Sequence, residues 1–153
     1  MLDCQRHVTV QTNDFDLAYE YQCLRSRSAT GAVVTFCGLV RDMNDGEAVT
    51  GLFLEHYPGM TEQTLKTIVD EAAGRWPLQA VRVIHRVGQL TLCDQIVFVG
   101  VASAHRRAAF AGCEFIMDIL KSRAPLWKRE QTTQGEHWVE ARTSDQDALE
   151  RWA

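Results

Sequence analysis

Between Thr61 and Trp76 the apolar residues Leu65, Ile68, Val69, Ala72, Ala73 and Trp76 recur at three- and four-residue intervals. That spacing lines one face of an α-helix. Thr61 is the expected N-cap, Glu62 in the first turn suits the helix dipole, and Pro77 ends the run. Elsewhere the period drops to two. His7–Gln11 alternates as a short strand, and Ala80–Val87 (AVRVIHRV) alternates strictly, which predicts a half-exposed strand. Gly31–Val40 and Gln95–Ala102 are almost wholly apolar and rich in β-branched residues. Both read as strands, the second at the centre of a sheet. Val49–Tyr57 sends Leu52, Leu54 and His56 to one face and Phe53, Glu55 and Tyr57 to the other. The Asp-Gly pair inside Met43–Glu47 predicts a hairpin that returns Val49–Tyr57 as the partner of Gly31–Val40.

The remaining pattern supplies three helices and a hairpin. Asp14–Arg25 reads as a helix capped by Asp14, with Leu17, Tyr21 and Leu24 as its apolar stripe. Ala104–Ser122, capped by Ser103, carries Ala108, Phe110, Phe115, Ile116, Ile119 and Leu120 around much of its circumference, so it is expected to be buried. Leu126–Thr132 and His137–Glu140 form a last hairpin around Gly135, and Ser144–Trp152 a terminal helix. Strands and helices mix without regular βαβ alternation. The expectation is therefore an α+β fold with a largely antiparallel sheet, in one domain over residues 1–153.

Composition removes several function classes. A formal net charge of -4 argues against general nucleic-acid binding. No apolar run approaches the ~20 residues that span a bilayer, and MLDCQRHVTVQ lacks a charged-then-apolar leader pattern. A cytoplasmic, non-membrane protein is expected. The five cysteines (Cys4, Cys23, Cys37, Cys93, Cys113) form no C-x-x-C pair, so neither a disulfide framework nor a zinc knuckle is expected. The five histidines have no metal-ligand spacing, and His85, alternating with apolar neighbours, reads as structural. Neither metal nor cofactor is called for. P-loop, G-x-G-x-x-G and Ser/His/Asp patterns are all missing.

Charge distribution is more telling than total charge. Phe115–Glu130 (FIMDILKSRAPLWKRE) begins as an apolar helix and ends in cations, with Lys121, Arg123, Lys128 and Arg129 within nine residues. From His105 to Arg129 there are six Lys/Arg against Glu114 and Asp118, a local balance of +4. Such a concentration asks for an anionic partner or substrate. Lys121 suits a helix C-terminus as an ordinary cation, or as a reactive lysine tuned by burial and by Arg123, Lys128 and Arg129. His105-Arg106-Arg107 opens the preceding helix, as a phosphate or carboxylate site or as a solvated turn of paired arginines. On a strand, Lys128 and Glu130 share one face and Arg129 takes the other. Arg41 closes the apolar strand Gly31–Val40.

The stretches GAVVTFCGLVRD, LEHYPGMTEQTL, IVDEAAGRWPL, VIHRVGQL, IVFVGVASAHRRAAF, FIMDILKSRAPLWKRE and HWVEARTSDQ together resemble the large, catalytic subunit of molybdopterin synthase. The likeness covers most of Gly31 to Trp152, and residues 1–30 match loosely. It implies an α/β hammerhead fold with an added antiparallel β subdomain. It also implies a sulfurtransferase that converts cyclic pyranopterin monophosphate to molybdopterin. The sulfur source in that family is the C-terminal thiocarboxylate of a small ubiquitin-like subunit, and two large subunits form the centre of a heterotetramer. On this resemblance Lys121 and Lys128 are catalytic. Val40, Arg41, His105, Arg106, Arg129 and Glu130 bind substrate, and Arg142 reaches the site from the neighbouring protomer. Family members often carry a lysine where this chain has Leu39. The alternatives are a non-catalytic phospho-pterin or nucleotide-binding module, and a scaffold that only docks a ubiquitin-like tail.

Overall fold

A computed structural model describes residues 3–44, 46–139 and 143–153. Its elements are β1 (Gln5–Gln11), α1 (Leu17–Leu24), β2 (Ala32–Leu39), β3 (Met43–Asn44), β4 (Glu47–His56), α2 (Met60–Arg75) and β5 (Leu78–Arg86), followed by β6 (Gly88–Thr91), β7 (Gln95–Ser103), α3 (Arg106–Arg123), β8 (Leu126–Thr132), β9 (Gly135–Trp138) and α4 (Thr143–Glu150). They form two sheets. The first has the order β1-β5-β7-β2 and is antiparallel except for the β1–β5 pair. The second is antiparallel and centred on β4, with β8 then β9 on one side and β3 and β6 also pairing with β4. This is the expected α+β class.

Alternation along β7 explains why its sequence is apolar throughout. Val97, Val99 and Val101 join Val81 and Val83 of β5 under Leu65, Ile68 and Val69 of α2 and Phe115, Ile116 and Ile119 of α3. Phe98 and Ala102 face the other way, against Phe15 and Leu24, where α1 covers the sheet. A strand buried on both faces has no polar side to show. Gly100 keeps this second layer close, since a Cβ there would lie 2.4 Å from Leu24 Cδ1 and 2.7 Å from Phe98 Cζ. The second sheet has its own core of Val40, Leu52, Leu54, Val87 and Leu90.

Several expectations are corrected. β4 does not pair with β2. It pairs with β3, β6 and β8, while β2 pairs with β7 as an edge strand. The tight hairpin does exist, but it joins β3 to β4; Asp45 of its Asp-Gly pair lies outside the described residues. β5 is not half-exposed, because its polar positions are partly or wholly covered and have partners. Arg82 Nε donates to Glu20 Oε2 at 2.5 Å beneath α1, and His85 is buried on the opposite face. Glu20, not Leu17 or Tyr21, therefore joins Leu24 on the buried side of α1, whose N-cap is Asp16 rather than Asp14.

The helix starts also move. Gly59, with φ +83°, precedes α2 as its N-cap, and the Glu62 carboxylate accepts from Gly59 N–H at 3.2 Å. Thr61 is instead buried in the first turn, its hydroxyl donating to Tyr57 O. Ser103 belongs to β7, with its hydroxyl committed to Pro77 O at 3.0 Å. α3 starts one residue after His105, and Phe110 on it is exposed. Glu140 of the last hairpin and Arg142 lie outside the described residues. Among the described residues no helix is long and apolar enough to cross a membrane.

Candidate functional site

A cleft of about 520 Å³ is lined from both sheets. Its walls come from the end of β2 and the two residues after it (Phe36, Leu39, Val40, Arg41), from Leu52 and Leu54 of β4, and from His85 of β5. Met117, Leu120 and Lys121 of α3, Lys128 and Glu130 of β8, and Ser144 and Asp145 of α4 complete it. Positioning is local in each case. Ala124 turns extended before Pro125, as a residue preceding proline must, and this ends α3 just past Lys121. The hydroxyl of Thr61 also reaches Pro125 O at 3.4 Å, fixing the turn to the start of α2. β8 then runs back beside β4, Lys128 opposite Leu54 and Glu130 opposite Leu52. Strand alternation delivers Lys128 and Glu130 to the cleft together. Val40 is tied at both backbone groups, donating to Asp94 O and accepting from Cys93 N–H, so Arg41 leaves the strand at the cleft mouth.

Lys121 is exposed at the rim, as an ordinary helix-end cation would be, and the burial of the alternative reading is not found; its setting is the mouth of a cleft. Glu130 is buried, and its Oε1 accepts from Asn44 Nδ2 at 2.6 Å. Its Oε2 lies 3.8 Å from His137 Nε2 and makes no hydrogen bond among the described residues. His85 is also buried. Its Nδ1 sits 2.8 Å from Arg86 O, and burial first, then the charges of Lys128 and His56, push it down to about 4. Leu39 stands exposed on the rim, with Phe36 and Met43 as further exposed apolar residues there.

Lys121, Lys128, Glu130, Val40 and Arg41 are thus brought together. Three other expected residues are not. Arg129 points to the opposite face of β8, stacked over Phe53 at 4.8 Å and Trp138 at 5.6 Å and paired with Glu136. His105 and Arg106 sit at the start of α3, and fifteen residues at 1.5 Å each put Arg106 roughly 22 Å from Lys121 along the helix axis. The sequence reading missed Asn44, Met117, Asp145 and, as a cleft residue, His85. A histidine among valines looks structural by pattern, and only the cleft it shares with Lys128 of β8 gives it another setting.

The five cysteines are free. Cys113 is buried and its thiol is pushed up to about 12, chiefly by desolvation. No group of His, Cys, Asp and Glu suited to a metal ion occurs among the described residues.

The cleft of this α+β chain gathers two lysines and an arginine beside a buried carboxylate, donors of the kind that pair with anionic groups. The MoaE protein family model matches residues 10–123, and the chain belongs to that family. It is 61% identical over 145 residues to the molybdopterin synthase catalytic subunit of Vibrio cholerae, covering 95% of this chain and 97% of that protein. The molybdopterin biosynthesis MoaE protein of Burkholderia ambifaria superposes with a TM-score of 0.82 at 49% identity, over 97% of this chain and 98% of the other. The crystal structure of molybdopterin synthase from Staphylococcus aureus superposes with a TM-score of 0.79 at 30% identity, over 86% and 95%.

Proposed function

We propose that this chain is the sulfur-transferring subunit of a cytoplasmic molybdopterin synthase. It converts cyclic pyranopterin monophosphate to molybdopterin with sulfur from the C-terminal thiocarboxylate of a small ubiquitin-like partner. The observation that carries this reading is the convergence of Lys121 and Lys128, from either side of the Pro125 turn, on one cleft with Arg41 at its mouth. Both reactants are anions, and enclosing them requires cations. A sulfur attack on the pterin passes through an anionic adduct. An ammonium at Lys121 stabilises that charge or supplies the proton, with Lys128 beside it. Each new C–S bond replaces a C–O bond of the substrate side chain, whose oxygen leaves as water or as the opened phosphate ester. Hydrolysis of the resulting thioester then releases the partner's C-terminus as a carboxylate, water supplying the oxygen that replaces sulfur.

Two central copies of this chain and two small subunits make the assembly. Within one chain, His105 and Arg106 stand too far from Lys121 to share a small substrate. Their substrate-binding role is assigned to the cleft of a second copy, and the same holds for Arg142. Val40 and Glu130 bind within the cleft, while Arg129 buttresses β8 from behind.

The test is turnover of the Lys121→Ala protein with thiocarboxylated small subunit and cyclic pterin, read as dithiolene product. A loss of at least about 100-fold with unchanged thermal unfolding is expected, as for removal of one transition-state donor. Near-normal turnover would overturn the assignment of Lys121.

A further inference from the structure

His85 is a buried cleft residue whose chemistry the anion-binding reading leaves unused. A backbone carbonyl can only accept a hydrogen bond, so the 2.8 Å contact with Arg86 O fixes the proton on Nδ1. The other nitrogen, Nε2, then carries a lone pair. It makes no hydrogen bond among the described residues, although the side chain is buried and lines the cleft. Burial and the neighbouring positive charges keep the ring neutral through the physiological range. A neutral lone pair offers nothing to a phosphate or a thiocarboxylate, which are acceptors themselves. It requires a donor.

Resting on the function proposed above, we infer that His85 Nε2 accepts a hydrogen bond from an N–H of the substrate's pterin ring and so fixes which end of the substrate enters the cleft. A reduced pterin presents ring N–H groups and an exocyclic amine, whereas its cyclic phosphate presents only acceptors. The two ends of one ligand are thereby sorted by complementary chemistry. The pterin end goes to His85, and the phosphate end goes to the cations. His85 is a specificity-determining residue of the binding step rather than a participant in sulfur transfer.

The experiment compares dissociation constants for the cyclic pterin and for inorganic phosphate in the unmodified chain, His85→Asn and His85→Gln, each verified as folded by thermal unfolding. Asn keeps a donor for Arg86 O and lacks an acceptor where Nε2 stood; Gln can place its amide oxygen there. Asn should weaken pterin binding about ten-fold, the loss of one hydrogen bond, with phosphate affinity unchanged and Gln within about three-fold of the unmodified chain. Equal pterin binding by Asn would overturn the inference. So would a matching loss of phosphate affinity, which would mean that His85 acts through Lys128. As a measurement free of substitution, ¹⁵N-labelled histidine in the unmodified protein should show the His85 Nε2 resonance moving as pterin is added, with Nδ1 static. A static Nε2 would also overturn it. If the unmodified chain bound no pterin at all, the function proposed above would fall with it.

Discussion

Truncating Trp152 to alanine separates the stability of one element from the stability of the whole. α4 supplies one wall of the cleft through Ser144 and Asp145, and Trp152, just beyond its last turn, is the main anchor of the C-terminal segment. That ring packs edge-on against Trp76 at 5.6 Å and Phe115 at 5.5 Å, and its Nε1–H donates to Asp118 Oδ2 at 2.6 Å. Two aromatic pairs and one hydrogen bond to a charged acceptor contribute together about 4 kcal/mol. This is nearly three decades in the equilibrium for lifting α4 from the body. The rest of the clasp survives the substitution. Arg151 still reaches Glu114 and Asp118, and Ser122 still donates to Asp145 O. The larger core beneath α2 and α3 keeps Phe115 in place. Amide hydrogen exchange resolved by segment should therefore show residues 143–153 exchanging about 100- to 1000-fold faster, with β5 and β7 close to their original protection. Sulfur transfer should fall because one wall of the cleft is intermittently missing. Uniformly faster exchange across both sheets would refute the reasoning, since it would make Trp152 part of the global core.

Other contacts lead to equally specific outcomes. Replacing all five cysteines by serine should leave sulfur transfer intact in any variant that folds, because sulfur enters on the partner; a folded, inactive variant would count against the mechanism. Glu20→Ala leaves the Arg82 guanidinium without its acceptor beneath α1 and should cost about 3 kcal/mol, or roughly 10 °C in the unfolding midpoint. Replacing both residues by methionine should recover most of that loss. His85 is held at about 4, below its unfolded value of 6.5, so the unfolded chain takes up a proton that the folded chain refuses. Stability is then lost as pH falls from 6.5 towards 4, by up to about 3 kcal/mol. Urea titrations of the unmodified chain and His85→Gln should diverge in slope over that window; parallel slopes would show that His85 does not contribute.

Much of the element pattern was legible because periodicity reports which residues face inward. The α2 stripe and the two faces of β4 are read directly from spacing. Pairing is a different matter. Nothing in the alternation of β2 or β4 says which strand lies beside it, and the Asp-Gly turn joins β4 to the two-residue β3 instead. Arg82 and His85 made β5 look half-exposed, because pattern cannot register that Arg82 Nε and His85 Nδ1 each find an acceptor within the fold. The cleft lysines were legible as a charge cluster near Pro125. That Arg129 leaves the cluster follows from alternation alone, whereas the separation of His105 and Arg106 from Lys121 follows from helix length once the ends of α3 are known.

The alternation of β8 also bears on which changes in chain length the protein can survive. Lys128, Arg129 and Glu130 serve opposite faces in strict succession. A single-residue deletion between Leu126 and Lys128 would exchange the faces of everything beyond it, carrying Arg129 into the cleft and its two neighbours out. A substitution there weakens one contact, but a frame slip of one residue inverts the site. The turn at Gly135 stands beyond the cleft residues and faces no such restriction, so natural length variation should collect there and spare residues 126–130.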